Sequence, residues 1–237
     1  MNYLILGING DIGKSIFENL YNEKDNFILT YGNKKPDLKK KNIFLYKLNF
    51  KLVEKGIIKI NKILKKFKDI DIVINNVGDS NPFKNLLKVN PKELENSLKI
   101  NFYSAYFIIL QILKNRLKKN KPLNIINISS NTIKYLGSDK NLPYLVSKNA
   151  LEISLMNLSK IFSRKKIKIN IIRPGVIKTK KSTKINNYNK KIFLKRVSKI
   201  PAGQAGTPQD ISNYVKYLTN HKSKFIFGQI ITIAGGE

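Results

Sequence analysis

Tyr144 and Lys148 bracket the stretch Tyr144-Leu145-Val146-Ser147-Lys148. The apolar residues around and after it, Leu145, Val146, Leu151, Ile153, Leu155, Met156, Leu158 and Ile161, recur with helical periodicity. On a helix, residues four apart share a face, so Lys148 lies one turn from Tyr144. A phenol titrates near ~10 and is a poor acid at neutral pH. A neighbouring ammonium favours the phenolate and lowers that value. A tyrosine tuned in this way can give a proton to a substrate oxygen or take one from it. Ser130 follows a mostly apolar run, Asn124 to Ile128, that reads as a buried strand, and its hydroxyl could hold the same oxygen. A Tyr-x-x-x-Lys spacing also arises on many solvated helix faces, so the rest of the chain has to decide its meaning.

Composition narrows the choices. The chain has 237 residues, 42% of them hydrophobic, which suits one domain spanning 1–237 with a sizeable core. No stretch reaches the ~18 apolar residues of a membrane span. The first residues pass straight into an apolar strand rather than a signal peptide, so a cytoplasmic protein is expected. The absence of cysteine excludes disulfides and thiolate chemistry. The single histidine, His221, reads as part of a surface turn, so neither a metal site nor a serine–histidine triad is expected on it. Lys and Arg total 45 against 15 Asp and Glu, a net charge of +30. Such a charge favours polyanions such as nucleic acid or acidic carrier proteins. The lysines are spread along the chain, however, which reads as composition, with weak non-specific nucleic-acid binding at most.

The elements that must position the tyrosine alternate between strand and helix. Tyr3 to Leu6 is an apolar run entering Gly7-Ile8-Asn9-Gly10-Asp11-Ile12-Gly13, followed by an amphipathic helix with Ile16, Phe17 and Leu20 inward. Strand, glycine turn and helix is the context a dinucleotide fingerprint requires, because the backbone can approach a pyrophosphate at the helix N-terminus. Asn26 to Tyr31 reads as a second strand, followed by Gly32-Asn33-Lys34-Lys35. A carboxylate at this turn would bind a free ribose 2′-hydroxyl, whereas cations accommodate a 2′-phosphate. No acid lies between Phe27 and Pro36, so Lys34 and Lys35 favour NADPH over NADH. Further strands are predicted at Ile43–Leu48, Ile70–Ile74, Leu123–Ser129, Ile167–Ile172 and Phe227–Ala234. Helices are predicted at Val53–Phe67, Pro91–Leu117, Pro143–Phe162 and Pro208–Leu218, with Asn101 among apolar residues inside the second of these. From about 176 to 206 there is no sustained periodicity, and nine Lys or Arg lie between Lys178 and Lys199. A long irregular stretch in a compact domain is usually functional, often a lid. The fold class is α/β, a doubly wound, Rossmann-like parallel sheet of about seven strands with helices on both faces.

In this order the chain resembles a short-chain dehydrogenase/reductase over essentially its whole length. The resemblance rests on the loop Gly7 to Gly13, Asn75-Asn76-Val77-Gly78, Asn101, Ser130, Tyr144-x-x-x-Lys148, Pro174-Gly175-Val176-Ile177-Lys178-Thr179 and the closing Ile231-Thr232-Ile233-Ala234-Gly235-Gly236. Among its members the 3-oxoacyl-[acyl-carrier-protein] reductase type is most similar, since Ile200 to Ile211 resembles the segment leading into their last helix. The resemblance implies a strand order of 3-2-1-4-5-6-7 and dimers or tetramers assembled through the fourth and fifth helices. It implies that Tyr144 is the acid/base, that Lys148 lowers its pKa and holds the nicotinamide ribose, and that Ser130 orients the carbonyl. The backbone at Asn101 would support a water in a proton relay. Cofactor contacts are implied at Gly7, Asn9, Gly10, Asp11, Ile12, Gly13, Asn33, Lys34, Asn49, Asn76, Gly78, Tyr144, Lys148, Pro174, Gly175, Ile177 and Thr179, and no metal is implied. Three positions depart from the usual pattern. Asp11 stands in place of the middle glycine, where a carboxylate would repel a pyrophosphate unless it turns inward and caps its own helix. Asn49 replaces the Asp that contacts adenine in many members. The span from Ser130 to Tyr144 is one residue longer than in many reductases of this type.

These readings together describe an NADP(H)-dependent enzyme interconverting a carbonyl and a secondary alcohol. The first substrate choice is a 3-oxoacyl thioester on an acyl carrier protein, which would place the enzyme in fatty acid synthesis. A rival in the same family would act on a sugar, a polyol or a precursor of a surface polysaccharide. A rival of another class is a non-catalytic dinucleotide or nucleic-acid binder, against which the intact Ser130, Tyr144, Lys148 and Asn101 argue. A second basic run, Lys114 to Lys121, is read with the lid as part of a positive entrance.

Overall fold

In a computed structural model of the chain, the described residues are 1–80, 86–136, 141–180, 182, 190–220 and 223–237. The loop around Gly137, the turn at His221, and Lys181 and Lys184 of the lid lie outside them. Seven strands among the described residues form one parallel sheet: β1 (Asn2–Leu6), β2 (Asn26–Tyr31), β3 (Ile43–Lys47), β4 (Ile72–Asn75), β5 (Leu123–Ile128), β6 (Ile167–Pro174) and β7 (Ile230–Ile233). Their order is β3-β2-β1-β4-β5-β6-β7, as the family resemblance implied. The strands are continuous apolar runs because helices cover both faces of a parallel sheet.

Strand alternation divides the core in two. Leu4, Ile28, Val73, Ile125 and Ile169 face α2 (Val53–Phe67), α4 (Ser104–Lys118) and α5 (Leu142–Phe162). Ile5, Leu29, Ile74, Ile126 and Ile172 face α1 (Asp11–Leu20) and a helix near the chain's end, Pro208–Asn220. Each such isoleucine or leucine, wholly buried, contributes about 1.5–3 kcal/mol. In the register, Leu6 lies beside Thr30 on one side and Asn75 on the other, so β1 to β2 and β1 to β4 run in opposite directions across the sheet. The crevice beyond the strand ends at this switch point is where an open α/β sheet binds ligands.

Four sequence expectations change. The helix read from Pro91 to Leu117 is two helices, α3 (Pro91–Leu98) and α4, joined by a π-helical turn at Lys99–Tyr103. In that turn Ser104 N–H reaches back five residues to Lys99 O. The lid is not wholly irregular, for it contains α6 (Lys190–Val197), while the last helix, Pro208–Asn220, becomes α7. An eight-residue helix within a run of cations leaves too short an apolar pattern to read. The last strand shortens to Ile230–Ile233 because Gly228 (φ +65°) turns the chain just before it.

The fourth change concerns charge. Lys114 to Lys121 precedes β5, so it sits at the opposite end of the sheet from Ser130, about 20 Å away for a six-residue strand. There Arg116 is buried against Pro122 O, Asp69 (3.4 Å) and Asp71 (3.1 Å), and Lys119 and Lys121 pair with Asp69 at 3.0 and 2.6 Å. Arg116, Lys119 and Lys121 are thus paired with acids at this end of the sheet, away from any entrance beside Ser130. Among the described residues no helix is long and apolar enough to cross a membrane.

Candidate active site

The glycine loop is built for close approach. Gly7 takes φ +83°, and Asn76 donates its Nδ2 to Gly7 O at 3.0 Å, tying the end of β4 to the loop. A methyl group on Gly13 would lie 2.5 Å from Gly7 O and 2.7 Å from Asn76 Nδ2, so only glycine fits there. Gly10 is the N-cap of α1, and no side chain caps the helix. The first-turn N–H groups are thus left to a ligand, and with the helix dipole they suit a pyrophosphate. Asn9 stitches the loop to the next turn: its Oδ1 accepts from Gly32 N at 3.1 Å and its Nδ2 donates to Lys34 O at 2.8 Å. Asn33, Lys34 and Lys35 are exposed beside it. These residues fit a dinucleotide with a phosphorylated ribose.

Asp11 does not cap its own helix, so the repulsion foreseen from its carboxylate is met in another way. It is the first helical residue, one place past the cap, and its Oδ2 accepts from Lys180 N at 2.5 Å, linking the glycine loop to the start of the lid. Beside it Thr179 and Ser182 bond each other through both backbone and hydroxyl, with N···O distances of 3.0 Å each way. Ile177 is buried and bridges to Gly206, while Gly175 N donates to Ile233 O at 2.9 Å, leaving Pro174–Gly175 wedged at the end of β6. Asn49 is exposed and its Oδ1 closes a local turn on Lys51 N at 3.0 Å.

The residues singled out for chemistry converge at the ends of β4 and β5. Tyr144 shares a side-chain hydrogen bond with Ser130, and Ser130 Oγ also bonds Thr132 Oγ1 at 2.8 Å. The Lys148 ammonium lies 6.0 Å from the Tyr144 ring centroid and donates to Val77 O and Ile128 O, both at 2.8 Å. A methyl group on Gly78 would meet Lys148 Nζ at 3.2 Å and Tyr144 Oη at 3.9 Å, so Gly78 forms one wall. Asn101, fully buried in the π-helical turn, accepts from Asp79 N (2.7 Å) and donates to Asp79 O (2.9 Å), Ser97 Oγ (3.1 Å) and Ser147 Oγ (3.0 Å). It pins the segment after β4 to α5 beside Tyr144.

The expected depression of the Tyr144 pKa is not what the unliganded chain shows. Burial pushes this phenol up to about 12; the hydrogen bond from Ser130 opposes that rise and the nearby Asp79 carboxylate adds to it. The lysine ammonium donates to two backbone carbonyls, and desolvation of the phenolate is the largest influence on the tyrosine. The sequence reading passed over Asp79, Ser97 and Ser147. It named Asn75 within a motif but gave it no partner, and it passed over Asn127, to which the buried Asn75 donates at 2.7 Å. A polar residue at a position whose strand neighbours are all apolar was the available signal, since a buried amide needs a partner.

Comparison with known proteins agrees with this arrangement. Residues 11–237 match the family described as Enoyl-(Acyl carrier protein) reductase. The 3-oxoacyl-[acyl-carrier-protein] reductase FabG of Buchnera aphidicola subsp. Schizaphis graminum is 32% identical over 83% of this chain and 78% of its own. That of Buchnera aphidicola subsp. Acyrthosiphon pisum is 32% identical over 98% and 95%. Among solved structures, ElxO with NADP bound superposes with a TM-score of 0.84 at 28% identity, covering 99% of this chain and 97% of that one. A tyrosine-to-phenylalanine variant of ElxO with NADPH bound gives 0.84 at 27% over the same shares. A switch-point crevice, a tyrosine, serine and lysine gathered beside it, and a match over nearly the whole length place the chain in the short-chain dehydrogenase/reductase family, as an NAD(P)-dependent oxidoreductase.

Proposed function

We propose that the chain is an NADP(H)-dependent carbonyl reductase whose substrate is a 3-oxoacyl thioester carried on an acyl carrier protein. The observation that carries the reaction type is the meeting of the Tyr144 phenol, the Ser130 hydroxyl and the Lys148 ammonium at one crevice. When bound, the nicotinamide cofactor supplies or accepts the hydride. Ser130 and Tyr144 present two hydroxyls to one carbonyl oxygen, and Tyr144 gives it a proton. Lys148 stands close enough for its charge to favour the phenolate that remains. Asn101 lies within the π-helical turn, and its backbone would hold a water that returns the proton. Gly7, Gly10 and Gly13 would cradle the pyrophosphate, Lys34 and Lys35 the 2′-phosphate, and Gly78 with Pro174–Thr179 the nicotinamide half.

The choice of carrier-bound substrate is supported by the names of the relatives and by the basic mouth of a cavity that adjoins Gly175 through Glu237. Lys195, Arg196 and Lys199 line a cavity of about 300 Å³ beside Glu237, whose main-chain oxygen accepts from Lys134 Nζ at 2.9 Å. Lys134 lies four residues beyond Ser130. An acyl carrier protein is small and acidic, and opposite charge speeds its encounter with such a mouth. Exposed apolar residues on α4 and α5, Phe107 at 38%, Val146 at 39% and Ile153 at 63%, support a dimer or tetramer through those helices. We place the enzyme in the cytoplasm on the same reading.

The test compares kcat/KM for a 3-oxoacyl group on acyl carrier protein with the same group on a short uncharged thioester, across salt. The carrier-bound rate should fall steeply as the Debye length shortens to about 8 Å, and the short thioester should change little. Equal responses, or no turnover of the carrier-bound form alongside turnover of a sugar ketone, would transfer the assignment to the sugar-type reading.

A further inference from the structure

An ion pair with a buried carboxylate and a partly exposed guanidinium lies at the base of the site, outside every residue assigned so far. Glu152 is on α5, one turn past Lys148, and is 2% exposed. Its Oε2 accepts from Ser129 Oγ at 2.8 Å and from Arg173 Nε at 3.2 Å, and its Oε1 accepts from Arg173 Nη2. Both partners have telling neighbours. Ser129 directly precedes Ser130, and Arg173 directly precedes Pro174–Gly175. Ser129 N also donates to Ile172 O at 2.7 Å, and Ile128 O receives the Lys148 ammonium. One carboxylate therefore joins the ends of β5 and β6 to the helix that carries Tyr144 and Lys148.

Holding three apolar elements together does not require this. Burying a carboxylate costs several kcal/mol, and a well-packed apolar pair of similar size commonly does as well or better for stability. What an apolar pair lacks is direction. A forked guanidinium with a serine hydroxyl fixes a carboxylate along three hydrogen bonds, and charge-assisted bonds of this kind hold their geometry tightly. We propose that Glu152 is a positioning residue for the oxidoreductase reaction. Its carboxylate registers the ends of β5 and β6 against α5, and so sets Ser130 and the Pro174–Gly175 cradle relative to Tyr144 and Lys148. It touches no reacting atom and acts through these neighbours. Its effect on turnover rests on the carbonyl-reduction reading, while its effect on cofactor binding does not.

The decisive variant replaces the pair by apolar side chains, Glu152→Leu with Arg173→Leu. Three quantities are read: Tm, kcat and KM with ethyl 3-oxobutanoate, and NADPH affinity from nicotinamide fluorescence. Stability should stay near wild type, as for other buried pairs replaced in this way. Misplacement on the scale of 1 Å costs up to about 100-fold in rate, so kcat should fall about 10- to 100-fold with the ester KM little changed, and NADPH affinity should weaken several-fold. Glu152→Gln keeps the shape and one acceptor oxygen and should recover part of kcat. A doubly substituted protein with native Tm, kcat within about threefold of wild type and native NADPH affinity would show a structural staple only and overturn the proposal. If the double variant does not fold, Ser129→Ala removes a single hydroxyl; it should lower kcat at unchanged Tm, and an unchanged kcat overturns the proposal. If the wild type reduces no 3-oxo ester, the substrate reading fails, and NADPH affinity decides alone: weakened binding in the folded double variant supports the role of Glu152, and unchanged binding ends it.

Discussion

Replacing Tyr144 by Phe separates chemistry from architecture at this site. The ring stays and only the hydroxyl goes, with its bond to Ser130. That bond's net contribution is about 1 kcal/mol, and it is offset in part because the desolvated hydroxyl no longer has to be buried. Tm should therefore move by a few degrees at most. Turnover is another matter, because general acid catalysis contributes ~10²–10⁴-fold. The unliganded phenol is pushed up to about 12, so its neutral, proton-donating form persists across the physiological range. Reduction should accordingly be independent of pH from about 6 to about 9, well below even an ordinary phenol's pKa. The assay follows NADPH absorbance with a 3-oxo ester over that range for wild type and Tyr144→Phe. Tyrosinate absorbance of the cofactor-free proteins is titrated in parallel. Their difference isolates Tyr144, and no ionisation should appear below about pH 11 if burial dominates as described. A variant retaining more than about a tenth of the wild-type rate, far short of the expected loss, would refute Tyr144 as the proton donor. A Tyr144 phenolate forming below about pH 9 in the free protein would refute the claim that burial outweighs Lys148.

Lys34→Ala with Lys35→Ala should weaken NADPH binding and spare NADH, measured by fluorescence titration; equal wild-type affinity for both cofactors would make these lysines background. Gly13→Ala drives a methyl group to 2.5 Å from Gly7 O, so the loop must shift. A loss of about 1–3 kcal/mol in stability and at least tenfold weaker NADPH binding are expected, by calorimetry and titration. Asn101→Ala removes the side chain that bonds Asp79 N–H and C=O and should cost about 1–3 kcal/mol. Unlike Tyr144→Phe, it should thus lower Tm and turnover together. Tyr3 is pushed up to about 12 by burial, then by Asp25 and Asp71. Its folded pKa exceeds the unfolded value near 10, so its contribution is complete below that value and is lost as pH rises towards 12. Urea unfolding over that window should lose up to about 1.4 kcal/mol per pH unit more in the wild type than in Tyr3→Phe.

How much of this was legible beforehand depends on the range of the forces involved. The strands β2 and β3, the helix Val53–Phe67 and the start of α5 could be read because their apolar periods are local and unbroken. The glycine loop was legible too, since its glycines lie close together between an apolar strand and an amphipathic helix, although Asn76 from the end of β4 also crowds Gly7 and Gly13. Tyr144, Lys148, Ser130 and Asn101 could be named as one set only through the order of motifs along the whole chain. Everything that depends on which group meets which across the sheet had to wait for the fold. Asp11 was read as repelling a pyrophosphate unless it caps its own helix, yet it holds Lys180 N–H, a partner 169 positions away. Lys114 to Lys121 was read as an entrance, yet the strand that follows carries the site to the other end of the sheet. Lys148 was expected to lower the tyrosine's pKa, but its ammonium donates to Val77 O, just past β4, and Ile128 O of β5, and burial is the largest influence on the phenol. Glu152 lies within the predicted helix Pro143–Phe162 and had no assigned role there; its partners Arg173 and Ser129 come from other elements. Local sequence determined which segments are strands and helices, because propensity and periodicity act over one or two turns. The tertiary structure alone decided where each charge ends up and how it is desolvated, because those energies depend on neighbours that the chain brings together only when the sheet closes.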